Sequence, residues 1–144
     1  MHSNPSNRGR WLVAAAAVIL IVACLMQWWQ IGGEAGHLSQ RNDVGLSDGR
    51  GFLIFLLSIT ALLLLTLPYA ADRPVSIDHP VVYLVLLLVM FGAFIWRTVG
   101  LILEQDVNLL PFPPQRGPGY WLAALGLAVF ARGVFELFDQ RRRM

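Results

Sequence analysis

Two arginines interrupt otherwise apolar runs, and each has an acid on the same helical face. Arg97 lies in FGAFIWRTVG (residues 91–100), with Glu104 two turns further on. Arg132 lies in LAVFARGVFELF (residues 127–138), with Glu136 four residues later, the spacing at which side chains pair along a helix. A guanidinium within hydrocarbon is costly, so it either reaches the interface or finds a hydrogen-bonding partner. A third role is that of a cation beside an anion path.

Depth and direction decide between these. If the third apolar block enters the membrane near Val81, Arg97 lies about 24 Å along it, at 1.5 Å per residue. Helical side chains lean towards the helix N-terminus, so Arg97 leans away from its nearer surface. Arg132 has the mirror-image problem in the fourth block. Both therefore need local partners. Gln27, Ser58, Thr60 and Glu104 lie at suitable depth for Arg97, and Glu136 and Thr66 for Arg132. Ala93, Arg97, Gly100 and Glu104 form one stripe, and Ala124, Ala128, Arg132 and Glu136 another. Small residues mark close helix contacts in lipid. The expectation is that both arginines are internal polar pins of a helix bundle.

Little else resembles chemistry. No acid, histidine or cysteine pair falls at mid-membrane depth, where a proton or ion carrier needs one. No phosphate loop, zinc motif or activated nucleophile is present. Glu34, His37 and Asp43 are too loosely spaced to indicate a metal site. The sequence predicts no enzyme, no cofactor and no metal. A net charge of +2, concentrated at the termini, argues against nucleic acid.

The elements that must position these residues are membrane helices. Of 144 residues, 56% are hydrophobic and 14% charged, well below the usual quarter for a soluble domain. Four blocks reach the length of about 20 residues that spans a bilayer. They predict helices at about 11–31, 52–71, 81–103 and 119–138, outer loops at 32–51 and 104–118, and an inner loop at 72–80. The fold class is all-α: one domain, a four-helix transmembrane bundle, antiparallel and up-down. The Gly-rich first outer loop has room for a short hairpin at Asp48-Gly49. Trp11 on one side, and Trp28, Trp29, Tyr120 and Trp121 on the other, are expected as interfacial anchors.

Arg8, Arg10, Arg73 and Arg141 to Arg143 outnumber Arg41, Arg50 and Arg116 on the opposite side, so both termini should be cytoplasmic. All eleven basic residues are Arg, consistent with a GC-rich bacterial source. A basic lead, an apolar core and IVAC also fit a signal peptide with Cys24 as lipidation site. The apolar LMQWW after Cys24 favours a retained helix instead.

The Trp pair ending helix one, DVGLSDGRGFL entering helix two and PGYWLAALGLAVF opening helix four resemble small four-helix integral membrane proteins of GC-rich bacteria. The resemblance covers most of the chain. It implies four spans and an outer loop lying on the bundle, and it implies no activity. A claudin-like plan lacks its cysteine pair in the first outer loop. The expected function is a non-enzymatic accessory or structural subunit of the bacterial inner membrane. It would act by lateral helix contacts with a membrane-protein partner or with itself. The alternatives are a small oligomeric transporter or channel using Arg97 or Arg132, and a lipid-anchored three-helix protein cleaved before Cys24.

Overall fold

A computed structural model describes residues 8–31, 41–70, 79–105 and 117–142, except the side chains at 30, 31, 41–43, 69, 104 and 105. Four helices dominate: α1 (Arg8–Leu25), α2 (Gly49–Ala70), α3 (Pro80–Gln105) and α4 (Pro118–Arg142). Each is long and apolar enough to cross a membrane, and they are the candidate spans of a multi-pass membrane protein. Between α1 and α2 lie two strands, β1 (Gln27–Ile31) and β2 (Arg41–Val44), and a 3-10 turn at Gly45–Ser47.

Leu63, Leu88, Trp96, Leu103 and Phe135 stand largely exposed on the helices. In water such a surface would be a liability, whereas hydrocarbon is as apolar as these side chains. Interhelical packing must then come from close approach and satisfied polar groups.

The α1–α4 seam has the closest approach. Val13, Ala16, Ala17, Leu20, Ala23 and Cys24 of α1 are all fully buried. Facing them, α4 carries glycine at 119, 126 and 133. A Cβ on Gly133 would stand 2.8 Å from Val13 Cγ2 and 2.9 Å from the Val13 amide nitrogen. One on Gly126 would be 2.9 Å from Leu20 Cδ2, and one on Gly119 would be 2.7 Å from the Ala23 carbonyl. Gly9 of α1 likewise abuts Leu137. This seam lies one residue round from the stripe expected on α4. Ala123 is buried, whereas Ala124 is half-buried and Ala128 exposed.

Elsewhere the helices are joined by single polar contacts. Arg10 Nη2 of α1 donates to the Leu65 carbonyl of α2 at 3.1 Å. That carbonyl lies near Pro68, which has no amide hydrogen to give the helix. The Cys24 thiol meets the Gly51 carbonyl at 3.6 Å. Ser58 donates to Ile54 O at 2.7 Å within α2 and touches Met90 Sδ of α3 at 3.6 Å. Thr98 of α3 shares a 3.0 Å hydrogen bond with Tyr120 of α4, and His79 beside α3 meets Arg141 of α4.

The first helix ends earlier than its apolar run. Met26 N closes the last turn on Val22 O and Ala23 O, at 3.1 and 3.2 Å. Gln27–Ile31, assigned to the helix by hydropathy, is instead a strand, as its aromatic content allows. It pairs antiparallel with β2, so its backbone groups are satisfied without the helix. The hairpin is therefore built by the end of the first apolar block. Asp48-Gly49, where a turn was expected, starts α2, with Phe52 N bonding Asp48 O at 3.0 Å.

Candidate functional site

The β1–β2 hairpin places a polar cluster against the start of α2. Arg97 of α3 forms an ion pair through Nη1 with Asp48 Oδ2, and its guanidinium lies 5.6 Å from the Trp29 ring centroid in β1. The same Asp48 oxygen lies 3.7 Å from Arg50 Nε. Arg50 in turn donates to the Trp96 carbonyl at 3.4 Å and sits 5.0 Å from the Trp96 ring centroid. Arg97 is the more enclosed cation: its side chain is 12% exposed, against 27% for Arg50. A guanidinium held by a carboxylate and an aromatic face is a favourable way to carry charge out of water. One carboxylate thus joins α2, α3 and, through Trp29, β1.

The strand that supplies Trp29 is fixed by Trp28. The β1–β2 register shifts between Gln27 and Trp29. Such a bulge re-aims a side chain, and both indoles are buried. Trp28 Nε1 donates to Ala23 O at 2.7 Å. Its ring meets Phe94 and Tyr120 edge-on at 6.0 and 6.1 Å, and those two stack at 5.0 Å. Gly45 makes this fit possible: a Cβ there would strike Trp28 Nε1 and stand 2.7 Å from Cys24 Cα. Gly51 is equally constrained, because its Cβ would run into the Gly45 carbonyl.

The expected site residues fall into distinct places. Ala93 and Gly100 are buried on the Arg97 side of α3. Ser58 and Thr60 do not meet Arg97; their hydroxyls bond back to Ile54 O and Leu56 O of their own helix. Gln27 lies in β1, opposite Val44. The Glu104 side chain lies outside the described residues. Trp28, Trp29 and Tyr120, expected at the interface, are inside the cluster just described: the two tryptophans because helix α1 stops before β1, and Tyr120 of α4 because it packs on Trp28 and Phe94. Trp11 and Trp121 do face outward. Cys24 is fully buried in α1.

Arg132 is largely exposed, and pairs along α4 with Glu136 at 3.3 Å. Glu136 also lies 3.6 Å from Arg8 Nε of α1, so the acid is the more enclosed member and links two helices. Asp48 is the residue that sequence reasoning missed. The sequence shows only that it stands directly before α2; that this is the level of Arg97 comes from the packing.

Comparisons with family models, curated proteins and solved structures return no match to this chain.

Proposed function

We propose that the chain is a non-enzymatic accessory subunit of a bacterial inner membrane that acts by lateral helix contacts. The supporting observation is a groove between α3 and α4. Two clefts of about 400 and 300 Å³ adjoin there, with Leu87 and Ala131 lining both. Its α4 wall carries Ala124, Ala128 and Ala131, which leave room for another helix to approach closely.

The proposed arrangement is antiparallel and up-down, with both termini cytoplasmic. Contacts support it: Gly9 with Leu137, Val13 with Gly133, Leu20 with Gly126 and Ala23 with Gly119 run in opposite order along α1 and α4. Arg8, Arg10, Arg141 and Arg142 gather at the end away from the hairpin, as the excess of positive charge on cytoplasmic segments requires.

The test is gentle extraction of tagged protein followed by native mass measurement, for wild type and Ala128→Phe. Wild type should travel with a second helical membrane protein or a second copy, and Ala128→Phe should lose it while staying folded. A bare monomer for wild type, or full retention by Ala128→Phe, would refute the reading.

A further inference from the structure

A second cleft lies on the other side of α3, against α2 at the hairpin end. It has a volume of about 430 Å³, within the range of about 300–1,000 Å³ usual for ligand pockets. Arg50 and Trp96 line its hairpin end, and Leu53, Gly92 and Val89 continue it along α2 and α3 away from the hairpin. From Trp96 to Val89 is about 10 Å along the helix axis, so the cleft is an apolar trough with one cationic residue, Arg50, at its hairpin end.

Two glycines set this cleft apart from the other close contacts. Gly45, Gly51, Gly119 and Gly133 are each pressed against protein atoms. Gly49 and Gly92 have nothing within 4 Å of an added Cβ. Gly92 stands inside a 26-residue helix, where glycine is a poorer helix former than alanine. Among the described residues no neighbour requires that glycine, whereas a ligand lying close to the backbone would.

Arg50 supplies the matching chemistry. Its contacts are the long hydrogen bond to the Trp96 carbonyl and the 3.7 Å approach of Nε to Asp48, which already pairs with Arg97. Among the described residues, Nη2 of Arg50 has no acceptor within hydrogen-bond distance. A guanidinium with donors to spare takes a phosphate oxygen readily. Leu53, Val89 and Trp96 are exposed around the cleft, so it opens onto the lipid-facing surface.

We infer that this cleft binds an anionic glycerophospholipid, with the phosphate on Arg50 and one acyl chain passing Trp96 to lie over Gly92. Charge complementarity selects the anionic lipid, because a zwitterionic headgroup carries its own cation to the same place. The site is independent of the α3–α4 groove and of any partner bound there.

The test is native mass spectrometry of the full-length detergent-purified protein with phosphatidylglycerol or phosphatidylcholine. Wild type should retain phosphatidylglycerol about five-fold more tightly, the effect of one basic group at an anionic surface. Arg50→Gln should abolish that preference. Gly92→Leu extends into open space, so it should keep the fold and weaken retention of phosphatidylglycerol. Equal binding of the two lipids by wild type, or unchanged phosphatidylglycerol retention in Gly92→Leu, would overturn the inference. So would displacement of the lipid by millimolar inorganic phosphate, which would reduce the site to the guanidinium alone.

Discussion

At the scale of residues, Arg97 is held rather than displayed. Its partners come from a loop and a strand, and they meet because α3 outruns α2. Residues 98–105 continue α3 past the level of Asp48 by about 12 Å. The acid at the start of α2 is therefore at the depth of Arg97. Removing the cation leaves Asp48 with the more distant Arg50 and leaves Trp29 without its stacked cation. Arg97→Leu should lower stability in detergent by roughly 1–3 kcal/mol, less than for a fully buried pair because both groups are partly solvated. Asp48→Asn should cost less, and the double variant should fall short of the sum. Thermal unfolding of the four proteins measures this; strict additivity would mean that the pair is not a unit. The need of Arg97 for a partner was legible in the sequence, from its depth and the lean of its side chain. Which partner was not, because sequence spacing cannot show how far the end of α3 runs past the start of α2. Ser58 and Thr60 were expected at the depth of Arg97, but Ser58 is level with Met90, about 10 Å along α3 from Arg97, and both hydroxyls bond within α2.

At the scale of elements, the α1–α4 seam shows what a four-residue stripe conceals. Ala124, Ala128, Arg132 and Glu136 share a face at spacing four. Gly119, Gly126 and Gly133 share another at spacing seven, the repeat that keeps a seam aligned between two supercoiling helices. The seam follows the sevens. Arg132 then falls outside, where its chain lies against Glu136 and does not enter the bundle. Gly133→Ala places a methyl against the Val13 backbone, which has no rotamer by which to yield. It should destabilise the protein by about 1–3 kcal/mol. Gly92→Ala is the matched control, with open space for the new methyl and a gain in helix propensity. It should be neutral or stabilising by up to about 1 kcal/mol. If both changed the unfolding temperature alike, the seam would not depend on close approach. The ends of the elements were the least legible part. QWWQI continues an apolar run, and hydropathy alone cannot separate a buried strand from a helix end.

At the scale of the whole molecule, charge and packing point to one orientation. The hairpin closes one end with Trp28 inside the helices and β1 tied by its ladder to β2. At that end Arg50 and Arg97 share Asp48, which reduces their net positive charge. At the other end Arg8 and Arg132 share Glu136, and Arg10, Arg141 and Arg142 lie there too, with Asp139 among them. Among the described residues, Arg8, Arg10, Arg132, Arg141 and Arg142 at the terminal end outnumber Arg41, Arg50 and Arg97 at the hairpin end, and it is this count of basic residues, more than net charge, that sets orientation. On the proposed orientation the hairpin crosses the membrane during insertion and the termini do not. Single cysteines in a Cys24→Ala background test it directly, since that change removes only a 3.6 Å thiol contact. Gly49→Cys, exposed and with open space around it, should react with a membrane-impermeant maleimide on intact cells. Arg142→Cys should react only after permeabilisation. The reverse pattern would place the hairpin in the cytoplasm. It would also move the Arg50 cleft to the other leaflet, so the leaflet of the proposed lipid depends on the same labelling result.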